Sequence, residues 1–155
     1  MGLPITAEVV QSGRQEAYPL YVWLIDHPEG PVWQEMDESF ERWNDQTGPY
    51  LAFFVDPFQR KEWAMGFLAR ALDREAVANL LACRGLVQRY FRERLAERAC
   101  REMWIPQDRL PIAVIASRWN AGRAVLCSIP TREAVRRLLV HLTDFGRQHP
   151  PLERW

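Results

Sequence analysis

Leu20-Tyr21-Val22-Trp23-Leu24-Ile25-Asp26-His27-Pro28-Glu29-Gly30-Pro31-Val32 is the stretch from which the fold is read. Its first six residues form an uninterrupted apolar and aromatic run, the pattern of a strand covered on both faces. A polar turn and a Gly-Pro pair follow. Trp33, Met36, Phe40 and Trp43 then recur at helical spacing until Thr47-Gly48-Pro49 supplies the breakers. Tyr50 to Val55 is a second apolar run, stopped by Asp56-Pro57. The whole reads as a βαβ unit of the length a parallel crossover needs.

Outward from this unit, Thr6 to Val10 reads as a short first strand ahead of a turn through Gln11-Ser12-Gly13. Residues 58–104 read as helical, with apolar stripes at Trp63, Phe67 and Leu68, at Val77, Leu80 and Leu81, and at Val87, Tyr90, Phe91, Leu95 and Met103. Arginines such as Arg94 and Arg98 alternate there with Glu93 and Glu97, the spacing of a solvated, ion-paired surface. The last third is the most legible. Pro111 opens a strand over Ile112 to Ala116, Arg118-Trp119-Asn120-Ala121-Gly122 makes a turn, and Arg123 to Ile129 returns. Thr131 is placed to cap a helix with Glu133 in its first turn. Val135, Leu138, Leu139, Leu142 and Phe145 give that helix an apolar face, and Gly146 is expected to close it.

The order βαβ, helical connector, ββα resembles the thioredoxin fold. Leu20 to Ile25 is similar to the strand leading into that family's active site, and Glu29-Gly30-Pro31-Val32 to its Cys-Gly-Pro-Cys turn. Leu110-Pro111-Ile112 resembles the segment whose cis-proline faces the dithiol. The resemblance implies an α/β fold with a thioredoxin-like mixed sheet in one domain over residues 1–155. Residues 58–108 then form an enlarged helical insert within it. It covers roughly 18–57 and 109–146.

The departures bear on function. Thiol chemistry needs a thiolate at the helix start and a second thiol to resolve the mixed disulfide. Glu29 and Val32 stand at those positions, and Trp23 stands where the family buries an acidic residue. Redox activity is therefore not expected. The resemblance implies a shape kept without its chemistry, hence a non-catalytic interaction or adaptor module, a subunit of a larger bacterial assembly. Its partner would be another protein or a further copy of the chain. Candidate partner-binding residues are Glu29, Gly30, Pro31 and Pro111, with Arg118 and Trp119 in the hairpin turn, where burial of the indole by its own domain is difficult. The alternative is a small-ligand site or enzyme using Asp26, His27 and Asp56, a carboxylate and histidine cluster at strand ends, where α/β sheets place ligands.

Composition bounds the rest. At 155 residues, 48% apolar and 26% charged, the chain suits one globular domain. Its start, Met1-Gly2-Leu3-Pro4, lacks the basic and apolar regions of a signal peptide, and no apolar run approaches a membrane span, so a cytoplasmic protein is expected. Net charge is zero, yet residues 1–57 carry −8 and residues 58–155 carry +8. Lys61 is the only lysine beside nineteen arginines, a ratio that GC-rich codon usage explains, and the neutral total argues against nucleic acid. Cys83, Cys100 and Cys127 are an odd number without a close pair, read as reduced thiols. His27, His141 and His149 have no metal-ligand spacing, and no phosphate-binding glycine loop occurs, so neither metal nor cofactor is expected.

Overall fold

A computed structural model of the chain describes residues 2–4, 18–27, 30–55, 100–101, 105–117 and 124–150. They form a mixed α/β structure. Strands β1 (Gly2–Pro4), β2 (Leu20–Ile25), β3 (Leu51–Val55), β4 (Ile112–Ala116) and β5 (Val125–Ser128) make one sheet in the order β1-β3-β2-β4-β5. β3 runs parallel to both β1 and β2, β4 runs antiparallel to β2, and β5 antiparallel to β4. Helix α1 (Pro31–Thr47) joins β2 to β3, and helix α2 (Arg132–Gln148) follows β5.

The alternation of β2 builds two cores. Leu20, Val22 and Leu24, with Leu51, Phe53 and Val55 of β3, face Val32, Met36, Phe40 and Trp43 of α1 and Val135 and Leu139 of α2. Phe40 meets Phe53 edge to face at 5.5 Å, a favoured aromatic geometry. On the opposite face Tyr21, Trp23 and Ile25 join Phe54, Ile112, Val114 and Ala116 under Tyr18, Cys100 and Ile105. Trp23 stacks on Phe54 at 5.1 Å. Both faces of β2 and β3 are thus covered, which is why these strands carry no charged residue.

β1 is Gly2–Pro4, while the strand expected over Thr6 to Val10 lies outside the described residues. Three expectations are corrected. Trp33 is half-buried, because the inner stripe of α1 runs through Val32, Glu35, Met36, Phe40 and Trp43 instead. Gly146 does not close α2, which continues to Gln148. It is buried mid-helix because a Cβ there would overlap the Tyr50 carbonyl oxygen. Phe145 points away from the core at 49% exposure, stacked on His149. The buried face of α2 follows Val135, Leu139, Thr143 and Gly146.

Other boundaries agree with the sequence reading. Gly48, at φ +45°, ends α1 before Pro49. Thr131 caps α2 by accepting a hydrogen bond from the Ala134 amide at 3.1 Å. β4 occupies Ile112–Ala116 and is opened by Pro111, whose peptide bond with Leu110 is cis. Val125 and Leu126 of β5 are exposed, since that strand pairs only with β4 among the described elements. Cys127 of that strand is half-buried, whereas Cys100 is buried. Almost all of the expected insert, residues 58–108, lies outside the described residues. No helix among the described residues is long and apolar enough to cross a membrane.

Candidate functional site

Two constellations stand out, one at each side of the α1 start. The first is built where β2 ends. Ile25 pairs with Ile112, so Asp26 lies level with Pro111 at the same end of the sheet. α1 begins at Pro31, which has no N–H to satisfy, and its N-cap residue Gly30 has no side chain with which to cap. Asp26 supplies the missing acceptor from upstream. Its Oδ2 accepts a hydrogen bond from the Val32 amide at 3.0 Å, and its Oδ1 accepts one from the His27 amide at 2.7 Å.

The carboxylate fills the space beneath Gly30 where a Cβ would stand, so Gly30 serves close approach rather than an unusual backbone angle. The Gly30 amide bonds the His27 carbonyl at 3.3 Å, and the Gln34 amide bonds the Gly30 carbonyl at 3.0 Å. Burial pushes the Asp26 carboxyl above its ordinary range, opposed by the amides of Val32 and His27 and by the nearby His27 ring. Asp26 therefore acts as a remote helix cap, with both oxygens engaged by backbone.

Of the partner-binding candidates, Gly30, Pro31 and Pro111 are half-buried and gather at this end of the sheet. Glu29, Arg118 and Trp119 lie outside the described residues. Of the ligand-binding candidates, Asp26 is buried, its neighbour His27 is exposed, and Asp56 lies outside the described residues. No cluster of three or more metal-ligating side chains occurs among the described residues. Val32, at the position of the resolving thiol in the resemblance, is fully buried in the apolar core.

The second constellation contains none of the residues that the sequence marks as candidates. Glu35 is 0% exposed and sits on the inner stripe of α1 between Val32 and Met36. Its Oε1 accepts hydrogen bonds from Trp43 Nε1 at 2.7 Å and Arg42 Nη2 at 3.3 Å. Its Oε2 accepts from Arg132 Nε at 2.6 Å and Arg136 Nε at 2.7 Å, both on α2. Arg132 reaches on through Nη2 to Glu38 at 2.6 Å. Arg42 lies over the Trp43 ring at 5.1 Å.

Burial alone would raise the Glu35 carboxyl. The hydrogen bonds from Arg132, Trp43 and Arg136 outweigh it and hold the group below its ordinary range. Four donors on two oxygens leave no open position for proton transfer, so Glu35 is an ionic clamp between the helices. The signal was present in the sequence. A glutamate on an apolar stripe requires a partner, and Arg132 and Arg136 are spaced i, i+4 on the helix that packs opposite.

Comparison with known protein families, with curated proteins and with solved structures gives no match.

Proposed function

We propose that the chain is a non-catalytic interaction module on a thioredoxin-like scaffold, with residues 58–108 as its enlarged helical connector. The parallel β2–α1–β3 unit, the antiparallel β4–β5 pair and the closing helix α2 are consistent with that resemblance. The observation that carries the functional reading is the hydrogen bond from the Val32 amide to Asp26. In a dithiol enzyme the amides at this helix start favour a thiolate. Here the second-residue amide is spent on the chain's own carboxylate, and an aliphatic side chain takes the place of the resolving thiol. On this reading Gly30, Pro31 and Pro111, which are half-buried, meet a protein partner together with Glu29, Arg118 and Trp119.

Site-specific photo-crosslinking in the source cell tests this. A crosslinking side chain at Pro31 or Leu110 is expected to give one discrete heavier species of the same partner, competed away by excess unlabelled protein. The same group at Asp45, at the far end of α1, is expected to give none. Equal labelling from all three positions, or none from any, would count against the module.

A further inference from the structure

We propose that Arg42, Arg132 and Arg136 form a receptor for an oxyanion, a phosphate or carboxylate group, whose arginines are fixed from beneath by the buried Glu35. The site lies between α1 and α2 and does not rest on the interaction surface described above. Two guanidinium groups, those of Arg132 and Arg136, donate through Nε to one and the same oxygen of Glu35. They are thereby held within two hydrogen-bond lengths of each other despite like charge. Arg42 reaches the other oxygen and is steadied by the Trp43 ring.

The charges do not cancel. Three guanidinium groups face two carboxylates, Glu35 and Glu38, leaving one positive charge in excess. Nor are the donors used up. A guanidinium carries five N–H groups. Among the described residues Arg136 makes its hydrogen bond through Nε alone, so the N–H groups of its two terminal nitrogens remain for a ligand, and Arg42 uses one of its nitrogens. The three side chains are 52%, 28% and 38% exposed for Arg42, Arg132 and Arg136, open to solvent while anchored below.

Paired N–H groups in a planar fork match an oxyanion presenting two oxygens. Because Glu35 already restrains the side chains, less entropy is lost on binding than with free surface arginines. Two pairs on α2 lack this construction. Arg137 meets Glu133 at 3.5 Å and Arg147 meets Asp144 at 3.3 Å, each a single exposed pair.

The test is a thermal-shift and calorimetric titration of the full chain at pH 7. Inorganic phosphate or succinate replaces chloride at constant ionic strength. Wild type is expected to show a saturable rise in Tm with at least one of the two probes, and which one identifies the ligand as phosphate or carboxylate. Arg136→Lys keeps the charge and can still reach Glu35, but loses the outward fork, and is expected to bind at least fivefold more weakly. Arg137→Ala, on the same helix, is expected to bind as wild type does. Absence of a saturable shift in wild type with both probes would overturn the proposal. So would equal affinity in Arg136→Lys, or an equal loss in Arg137→Ala.

Discussion

Replacing Glu35 by alanine is expected to cost the fold about 1–3 kcal/mol, the range for leaving a buried donor without its acceptor, because the arginines it releases can turn to solvent. The loss has two parts. The Trp43 indole N–H loses its acceptor inside the core, and Arg42, Arg132 and Arg136 lose the charge that lets them converge. Glu35→Gln is expected to fall between wild type and Glu35→Ala, because the amide oxygen can still accept from the indole. Urea unfolding at pH 7 reads both changes.

The pH dependence follows from the direction of the Glu35 shift. The folded-state carboxyl lies below its ordinary value of 4.5. Its contribution is therefore complete above that value and is lost as pH falls through the lowered folded-state value. Wild type is expected to lose stability on acidification below about pH 4.5 more steeply than Glu35→Gln, since the amide does not titrate. Parallel acid limbs in the two proteins, or near wild-type stability of Glu35→Ala at pH 7, would show that the clamp contributes little.

Gly146→Ala carries the second large effect, opposite in sign to what helix propensity predicts. Alanine in place of an interior helix glycine ordinarily gains about 1 kcal/mol. At Gly146 the added Cβ would overlap the Tyr50 carbonyl oxygen and stand 3.1 Å from its carbonyl carbon. The obstacle is backbone held by the turn that ends α1, where the Tyr50 amide bonds the Thr47 carbonyl. It cannot rotate aside as a flexible side chain would. A net destabilisation of about 1–3 kcal/mol is expected, the range for overpacking a filled site. Unfolding midpoints of the two proteins measure it, and a more stable alanine variant would contradict the close packing of α2 on this turn.

The sequence disclosed elements wherever one interaction decided the outcome. β2 and β3 were legible because strands buried on both faces carry apolar residues without interruption. β4 was read at its observed boundaries because Pro111 opens it, and the start of α2 because Thr131 caps it. What sequence periodicity missed depends on partners distant along the chain. Phe145 fits a helical apolar stripe, yet the helix is rotated so that Gly146 can meet Tyr50, and the ring is left outside. Glu35 looks like one more acid on an acidic helix until α2 is folded against α1 and brings Arg132 and Arg136 to it.

The candidate site was legible in a similar, partial way. The Gly-Pro pair and Pro111 mark one end of the sheet, because turn residues announce chain reversals locally. The role of Asp26 was not legible. Its place beside His27 at a strand end suggests a carboxylate and histidine cluster, whereas in the structure its two oxygens accept from the amides of His27 and Val32. That capping replaces the side chain Gly30 lacks, and nothing in the spacing of the residues distinguishes a remote cap from a ligand-binding carboxylate.

Whether the turn is kept for shape alone is tested most directly by catalysed reduction of insulin disulfides in the presence of dithiothreitol. On the proposed thioredoxin-like scaffold, Val32 and the Asp26 cap stand where dithiol chemistry would lie, so the protein is predicted to leave the rate at the protein-free level, even at stoichiometric concentration. Concentration-dependent turnover that disappears on replacing Cys83, Cys100 or Cys127 by serine would contradict a non-catalytic scaffold.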